Sequence, residues 1–151
     1  MTSLIFGTRT TSARQDIALL IGRIALGIVL VAHGWQKYFT FGISGAAASF
    51  EKMGVPLPTV SATFAATVEL VGGILLIVGL LVPLVGLLVA IDMIGALVFV
   101  HGSNGVFVGD GGYELVLLIG ALGVIFAGLG AGAYALDRLL TSAPKSEPVP
   151  A

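Results

Sequence analysis

The chain contains no cysteine and few charged residues. The absence of cysteine among its 151 residues excludes disulfide bonds, thiolate metal sites, iron–sulfur clusters and Cys-x-x-Cys redox chemistry. Charged residues make up 10% of the chain and the formal net charge is -1, so no basic surface is available for a nucleic acid. Because soluble domains carry about 25% charged residues, the shortage also indicates a chain whose solvent is not water.

Signatures of hydrolysis and of metal binding are missing as well. The two histidines do not occur in the His-Glu-x-x-His spacing of zinc proteases, and no serine lies in a Gly-x-Ser-x-Gly context. The glycine-rich segment 102–112 lacks the Lys-Ser/Thr pair of a phosphate-binding loop. The sequence therefore predicts no metal site and no hydrolase.

What the chain has in excess is apolar residues. They make up 57% of the sequence, the mean hydropathy is +1.09, and four segments approach the roughly 20 helical residues needed to cross a bilayer: 17–38, 60–81, 84–101 and 113–136. Lipid offers no partner to backbone polar groups, so such spans must be helices. We therefore expect an all-α membrane protein, a bundle of four transmembrane helices in up-down-up-down order. Its parts would be a cytoplasmic N-terminal segment (1–16), the transmembrane domain (17–140) and a disordered C-terminal tail (141–151).

The linkers support this arrangement. Between the first two spans, apolar residues recur near helical spacing at Ile43, Ala47, Phe50 and Met53, which predicts a short interfacial helix. Glu51 and Lys52 would face water. Between the second and third spans the link has only two residues, 82–83, so these two helices should be antiparallel neighbours.

The cations predict the orientation. Arg9, Arg14, Arg138 and Lys145 lie near the two termini, whereas the opposite loops hold Lys37 and Lys52. Positive residues are enriched on the cytoplasmic side of membrane proteins. Both termini are therefore expected in the cytoplasm.

The residues that carry chemistry are the ionisable ones inside the spans. Each costs roughly 2.5–3.5 kcal/mol at a helix centre on insertion scales, so they should face each other or a wet cavity. The candidate polar cluster consists of Arg23, His33, Lys37, Glu69, Asp92, His101 and Glu114, with Asp137 as a further charge.

Helix geometry and depth predict how these residues pair. At about 100° per residue, Arg23 lies within about 20° of Gly34 and about 40° of Lys37. The preferred pairs are His33 or Lys37 with Glu69, and Arg23 with Asp137 or Asp92. Pairing of Arg23 with Glu69 is the alternative, because long side chains can bridge a difference in depth.

At this point the motifs resemble a known family. They are Arg23-x3-Gly27-x5-His33-Gly34-x2-Lys37, Met53-Gly54-Val55-Pro56, Glu69-Leu-Val-Gly-Gly73-x5-Gly79, His101-x2-Asn104-Gly105 and Gly128-Leu-Gly130-x6-Asp137. In this order, over residues 16–140, they are similar to the DoxX family of small bacterial membrane proteins.

The resemblance implies a four-helix membrane fold in the bacterial plasma membrane. The family is named after a subunit of an archaeal thiosulfate:quinone oxidoreductase, and other members are associated with membrane oxidoreductase assemblies or responses to quinone-like compounds. Its polar positions correspond here to Arg23, His33, Lys37, Glu69 and Asp137, without an assigned role for any of them.

Several functions fit these residues. The polar residues could simply fix helix packing. They could form a pocket in the outer half of the bundle for a quinone, with His33 and Lys37 as donors and Glu69 as acceptor. Haem b between His33 and His101 and a proton-coupled transporter using Glu69, Asp92 and Arg23 are further alternatives. A purely structural subunit could dock through Gly128 and Gly132.

We expect the chain to be an accessory subunit of a quinone-linked oxidoreductase system, with the bilayer and a membrane protein of a respiratory or oxidoreductase assembly as partners. Quinone is then the candidate ligand, and no other cofactor is expected on the chain itself. Whether the chain is catalytic stays open at this stage.

Overall fold

The computed structural model describes residues 12–141, and every regular element in that range is a helix. Three long helices are α1 (Ala13–Thr40), α3 (Pro58–Val78) and α4 (Val82–Asn104). Three shorter ones are α2 (Gly42–Lys52), α5 (Glu114–Leu129) and α6 (Leu136–Thr141). The expected all-α architecture is confirmed for this part of the chain.

Three predicted spans are confirmed as helices long and apolar enough to cross a membrane: α1, α3 and α4, with 28, 21 and 23 residues. Their bounds extend or shift the predicted ones by a few residues. The first helix begins at Ala13 rather than at 17, because Ser12 and Gln15 form a capping box there. Residues 13–16, which the sequence analysis placed in the N-terminal segment, are therefore part of helix α1.

The fourth predicted span, 113–136, is wrong as a single helix. Helix α5 has 16 residues and ends at Leu129, and the chain resumes a helix only at Leu136. Gly130 and Gly132 adopt φ angles of 78° and 75°, which a continuing right-handed helix does not allow. Gly128 and Gly132 therefore do not share a helix face, and Gly132 instead lies against Asp16 and Leu19.

The short helix between the first two spans is confirmed as α2. It begins at Gly42, and Ala46 and Ala47 on one side are buried together with Ala62 of α3. Glu51 and Lys52 are exposed, as their predicted contact with water requires.

Two glycine pairs bring the long helices into close backbone contact. A Cβ on Gly27 of α1 would lie 2.7 Å from the carbonyl oxygen of Gly73 in α3, and one on Gly73 would lie 2.8 Å from that of Gly27. Gly86 of α4 and Gly123 of α5 repeat this reciprocal approach at 2.6 Å and 2.8 Å. Between helices in lipid, where apolar burial contributes little, such close packing is the main attraction.

The apolar side chains divide into an interior set and a lipid-facing set. Leu30, Leu76, Val89 and Phe126 are buried in the core. Ile21, Ile28, Val98 and Leu118 are 58–65% exposed on the outside of α1, α4 and α5. So much exposed aliphatic surface is expected of a protein surrounded by lipid rather than water.

Some expectations fall outside this part of the chain. The predicted disordered tail lies almost entirely beyond residue 141, and two of the four cations used for orientation, Arg9 and Lys145, are outside residues 12–141 as well.

Because α4 and α5 pack closely at Gly86 and Gly123, a large side chain at position 86 should destabilise the bundle. Gly86→Leu should lower the stability of the bundle by at least about 1–3 kcal/mol, the usual cost of overpacking, because its Cβ would meet the backbone of α5 at 2.6 Å. Gly95→Leu on the same helix is the matched control, since nothing lies within 4 Å of a Cβ there. Thermal unfolding in detergent micelles measures both, and equal stabilities would contradict the proposed close packing.

Candidate functional site

A partly buried ion pair joins the first and second long helices. The Nζ of Lys37 in α1 donates a hydrogen bond of 2.5 Å to Oε2 of Glu69 in α3. The two side chains are 18% and 7% exposed. The prediction that Lys37 or His33 pairs with Glu69 is therefore confirmed for Lys37.

Both partners lie on π-helical turns. Lys37 belongs to the turn Gln36–Thr40 and Glu69 to the turn Val68–Gly72. In such a turn the backbone bonds reach one residue further than in an α-helix, as in the 3.0 Å bond from the Phe41 N–H to the Gln36 carbonyl. The wider turn changes the direction of the side chains around it, and π-turns are frequent at functional sites.

Asp92 of α4 adds a second carboxyl group. Its side chain is 9% exposed and interacts electrostatically with both Glu69 and Lys37. One of its oxygens, Oδ2, is buried without a hydrogen-bond partner among residues 12–141. We refer to Lys37, Glu69 and Asp92 as the carboxylate–lysine cluster. Its three members come from three different helices.

The depths of the two carboxyl groups explain their proximity. Glu69 precedes the end of α3 at Val78 by nine residues, and Asp92 follows the start of α4 at Val82 by ten. At 1.5 Å per residue both lie about 14–15 Å from the link between the helices. The nearly equal number of residues between each carboxyl group and the short link can be read from the sequence and indicates that the two groups lie at the same depth. The sequence analysis nevertheless predicted Asp92 only as one of two partners of Arg23.

A second polar group surrounds Arg23, which is completely buried. Its Nη1 donates to the Leu76 carbonyl at 2.9 Å and its Nη2 to the Tyr134 carbonyl at 2.5 Å. Asp137 is the carboxylate that acts on it electrostatically. Of the two partners predicted for Arg23, the structure thus supports Asp137.

Asp137 also holds the start of α4. Its carboxylate accepts hydrogen bonds from the Leu81 N–H at 2.8 Å and the Val82 N–H at 3.3 Å. Leu81 has a φ of 54°, an uncommon conformation for a residue with a side chain. The carboxylate stabilises this turn and satisfies donors at a helix N-terminus that have no partner within the helix.

Sequence reasoning missed Asp16. This residue is 6% exposed, and its Oδ1 accepts a hydrogen bond of 2.7 Å from the Ala133 N–H. Recognising the capping box at Ser12 would have placed Asp16 inside α1, on the same face as Leu19 and Arg23 by i, i+3, i+7 spacing. Arg23, Asp137 and Asp16 form the arginine cluster, which connects α1 to the segment after α5.

Three predicted site residues lie elsewhere. His33 is exposed and makes no hydrogen bond or ion pair within the described part of the chain. The Nδ1 of His101 donates to the Gly111 carbonyl at 2.7 Å, and Oε1 of Glu114 accepts from the Val108 N–H at 2.7 Å. His101 and Glu114 therefore hold the loop between α4 and α5, and the structure does not join either residue to the carboxylate–lysine cluster.

Comparison with known proteins agrees with the motifs. The DoxX family model matches residues 18–102. "Putative oxidoreductase CatD" of Bacillus subtilis is 32% identical over 113 residues, which cover 75% of this chain and 81% of that protein. "Uncharacterized membrane protein Rv3486" of Mycobacterium tuberculosis is 30% identical over 145 residues, 88% of this chain and 87% of its own length.

A third relative has a less specific name. An "Uncharacterized protein" of Haemophilus influenzae is 35% identical over 120 residues, 77% of this chain and 85% of its own length. No solved structure gives a significant match.

Substitutions of Lys37 and Glu69 should have strongly non-additive effects on the free energy of unfolding. Lys37→Met or Glu69→Met alone should destabilise the bundle by about 3–5 kcal/mol, because each leaves one buried charge unpaired. The double variant should recover much of this loss, because no unpaired member of the pair remains. Denaturation of all four proteins in micelles measures the coupling, and additive single effects would contradict a buried pair.

The arginine cluster predicts a structural role for Arg23. Arg23→Met should cost about 3–5 kcal/mol, because Asp137 and two main-chain carbonyls would lose their buried partner. Arg14→Met removes a charge of the same kind from the same helix, but Arg14 is exposed, so stability should change little. Similar unfolding temperatures for the two variants would show that the guanidinium contacts contribute nothing.

Proposed function

The chain belongs to the DoxX family of membrane proteins, and we propose that it is a membrane subunit whose carboxylate–lysine cluster binds a quinone for an oxidoreductase partner. The observation that carries this proposal is a buried Lys37–Glu69 pair beside an Asp92 oxygen that has no hydrogen-bond partner in the described chain. A ligand with hydrogen-bonding oxygens on an apolar ring would use both features.

The chemistry of the cluster suits a quinone. A quinone carbonyl needs a donor, and the Lys37 ammonium has three N–H groups, one of which bonds Glu69. The hydroxyls of the reduced form need acceptors, which Glu69 and Asp92 carry as carboxylates. The apolar ring and tail of the ligand match the lipid from which it would enter.

Accessibility separates this cluster from the arginine cluster. Lys37 is 18% exposed, so a molecule arriving from the lipid or the interface can reach it. Arg23 and Asp137 are at most 1% exposed, and their charged ends are occupied by main-chain groups. This difference in exposure supports a structural role for the arginine cluster and ligand binding at the carboxylate–lysine cluster.

The proposed topology has four spans in up-down-up-down order, with both termini in the cytoplasm of a bacterial cell. Helix α5 extends about 24 Å at 1.5 Å per residue, and the segment up to α6 would complete its crossing. Trp35 and Phe39, whose ring centroids are 4.3 Å apart, would lie at the outer interface, where aromatic residues are enriched. The carboxylate–lysine cluster would then belong to the outer half of the plasma membrane.

The assignment to an oxidoreductase system rests on similarity to a relative. One relative is named a putative oxidoreductase, which supports an assignment to electron transfer. A partner enzyme would hold the redox centre and exchange electrons with the quinone bound here. The haem hypothesis stays a prediction.

The alternative of a proton-coupled transporter, in which Glu69, Asp92 and Arg23 would relay the proton, receives less support. It required Arg23 to act with Glu69 and Asp92, but Arg23 lies fourteen residues before Lys37 on α1, about 21 Å along the helix. Its Nη1 and Nη2 donate to the Leu76 and Tyr134 carbonyls. A relay through Arg23 would have to break these contacts.

Quinone binding to the protein in nanodiscs tests the proposal. Isothermal titration with a short-chain ubiquinone, corrected with empty nanodiscs, should show saturable binding that Lys37→Met and Glu69→Gln each weaken by about tenfold or more, equivalent to about 1.4 kcal/mol. His33→Gln is the control, because His33 is exposed outside the cluster, and it should bind as the unmodified protein does. Absence of saturable binding, or loss of binding only in the His33 variant, would refute the site.

A further inference from the structure

The charges of the carboxylate–lysine cluster do not balance. Glu69 and Asp92 carry two carboxyl groups, and Lys37 supplies one ammonium group. Lys37 is hydrogen-bonded to Glu69, whereas Asp92 has a buried oxygen with no hydrogen-bond partner in residues 12–141. An unpaired carboxylate inside a membrane protein is costly unless it gains a proton or a donor.

The other titratable groups on the neighbouring helices do not supply the hydrogen-bond partner that Asp92 lacks. The titratable groups on the helices around Asp92 are Arg14, Asp16, Arg23, His33, Lys37 and Tyr38 on α1, Glu69 on α3, His101 on α4, and Glu114 on α5, with Tyr113 directly before α5. Arg14 and His33 are exposed. Arg23 bonds the Leu76 and Tyr134 carbonyls, Asp16 the Ala133 N–H and Tyr38 the Thr67 hydroxyl. His101 and Glu114 are bonded to loop main-chain groups. Glu69 and Lys37 are charges that act electrostatically on Asp92.

The two protonation states of Asp92 favour different ligands. A protonated carboxyl group has an O–H that can donate to a quinone carbonyl, whereas an ionised carboxylate can only accept, as from a hydroquinone hydroxyl. A quinone carbonyl that faces the ionised carboxylate brings two acceptors together and costs binding free energy, whereas a hydroquinone hydroxyl can donate to either form and bonds the charged one more strongly. The ionised side chain can therefore serve only the reduced ligand, whereas the protonated side chain can serve both.

We propose that Asp92 selects between the oxidised and reduced forms of the bound quinone according to its own protonation. This inference rests on the proposed function and adds the residue that determines specificity at the site. Quinone binding then requires a proton on Asp92, whereas hydroquinone binding does not and is stronger without that proton. A fall in pH strengthens quinone binding, and a rise in pH strengthens hydroquinone binding.

The proton balance gives a quantitative expectation. The fraction of protonated Asp92 governs quinone affinity, whereas hydroquinone binds both forms. The quinone dissociation constant divided by the hydroquinone dissociation constant therefore rises by about tenfold per pH unit above the pH at which Asp92 loses its proton, and it is level below that pH. In the rising range, quinone takes up one more proton on binding than hydroquinone does.

Titration calorimetry of the full chain in nanodiscs tests this. A short-chain ubiquinone and its hydroquinone, the latter under anaerobic conditions, are titrated between about pH 5 and pH 9, the range in which linkage to a single proton is readable. The unmodified protein should show the tenfold slope in the affinity ratio. Asp92→Asn should bind both forms with a ratio independent of pH, since an amide donates and accepts without titrating.

Controls separate the possible causes. Glu51→Gln removes a carboxylate from an exposed position on α2 and should keep the full slope. Titrations of the unmodified protein in buffers of different ionisation enthalpy count the protons directly, so the test does not depend on whether the Asp92 variant folds.

The outcomes are distinct for the two proposals. If neither form binds, the proposed function fails. If both forms bind with a ratio that does not vary with pH and with equal proton counts, the role of Asp92 is refuted while quinone binding stands. A slope that persists in Asp92→Asn but disappears in Glu69→Gln would assign the selection to Glu69 and also overturn the proposal.

Discussion

A charge inside a lipid-facing bundle must find a partner within the protein, and this constraint organises the whole structure. The described chain contains two solutions to it. Around Arg23 the partners are two main-chain carbonyls and Asp137. Around Lys37 the partner is a side-chain carboxylate, Glu69, with a second carboxyl group, Asp92, close by. Among the remaining charged residues and histidines of the described helices, Asp16 bonds the Ala133 N–H, and His101 and Glu114 bond the loop between α4 and α5, whereas His33 is exposed.

The two solutions have different consequences. Arg23 and Asp137 bond backbone groups at the end of α3, the start of α4 and the segment after α5, so their charges connect elements that no regular helix would join. The Nε of Arg23 is buried without a hydrogen-bond partner in the described chain, but Arg23 and Asp137 are at most 1% exposed, so a ligand has no direct access to them. The carboxylate–lysine cluster is open at Lys37 and incompletely satisfied at Asp92. Polar atoms in that state are uncommon in folded proteins, and they are what a ligand would complete.

Close helix packing makes both clusters possible. The reciprocal approaches of Gly27 to Gly73 and of Gly86 to Gly123 fix the helices at distances at which their side chains can meet. The π-turns at 36–40 and 68–72 then direct Lys37 and Glu69 toward each other. Proximity of the charges thus depends on backbone features that themselves contain no charge.

The sequence by itself determined the membrane solvent, three long helices and the short helix α2, because apolar run length acts locally. The cost of unpaired charges limited the predicted partner of Glu69 to Lys37 or His33, and the structure selected Lys37. It did not predict the end of α5 at Leu129, the burial of Asp16 or the position of Asp92 beside Glu69. Those depend on positive φ angles at Gly130 and Gly132, on π-turns and on the heights at which helices meet. Tertiary structure alone decided them, because many apolar residues tolerate several helix registers and only packing between helices selects one.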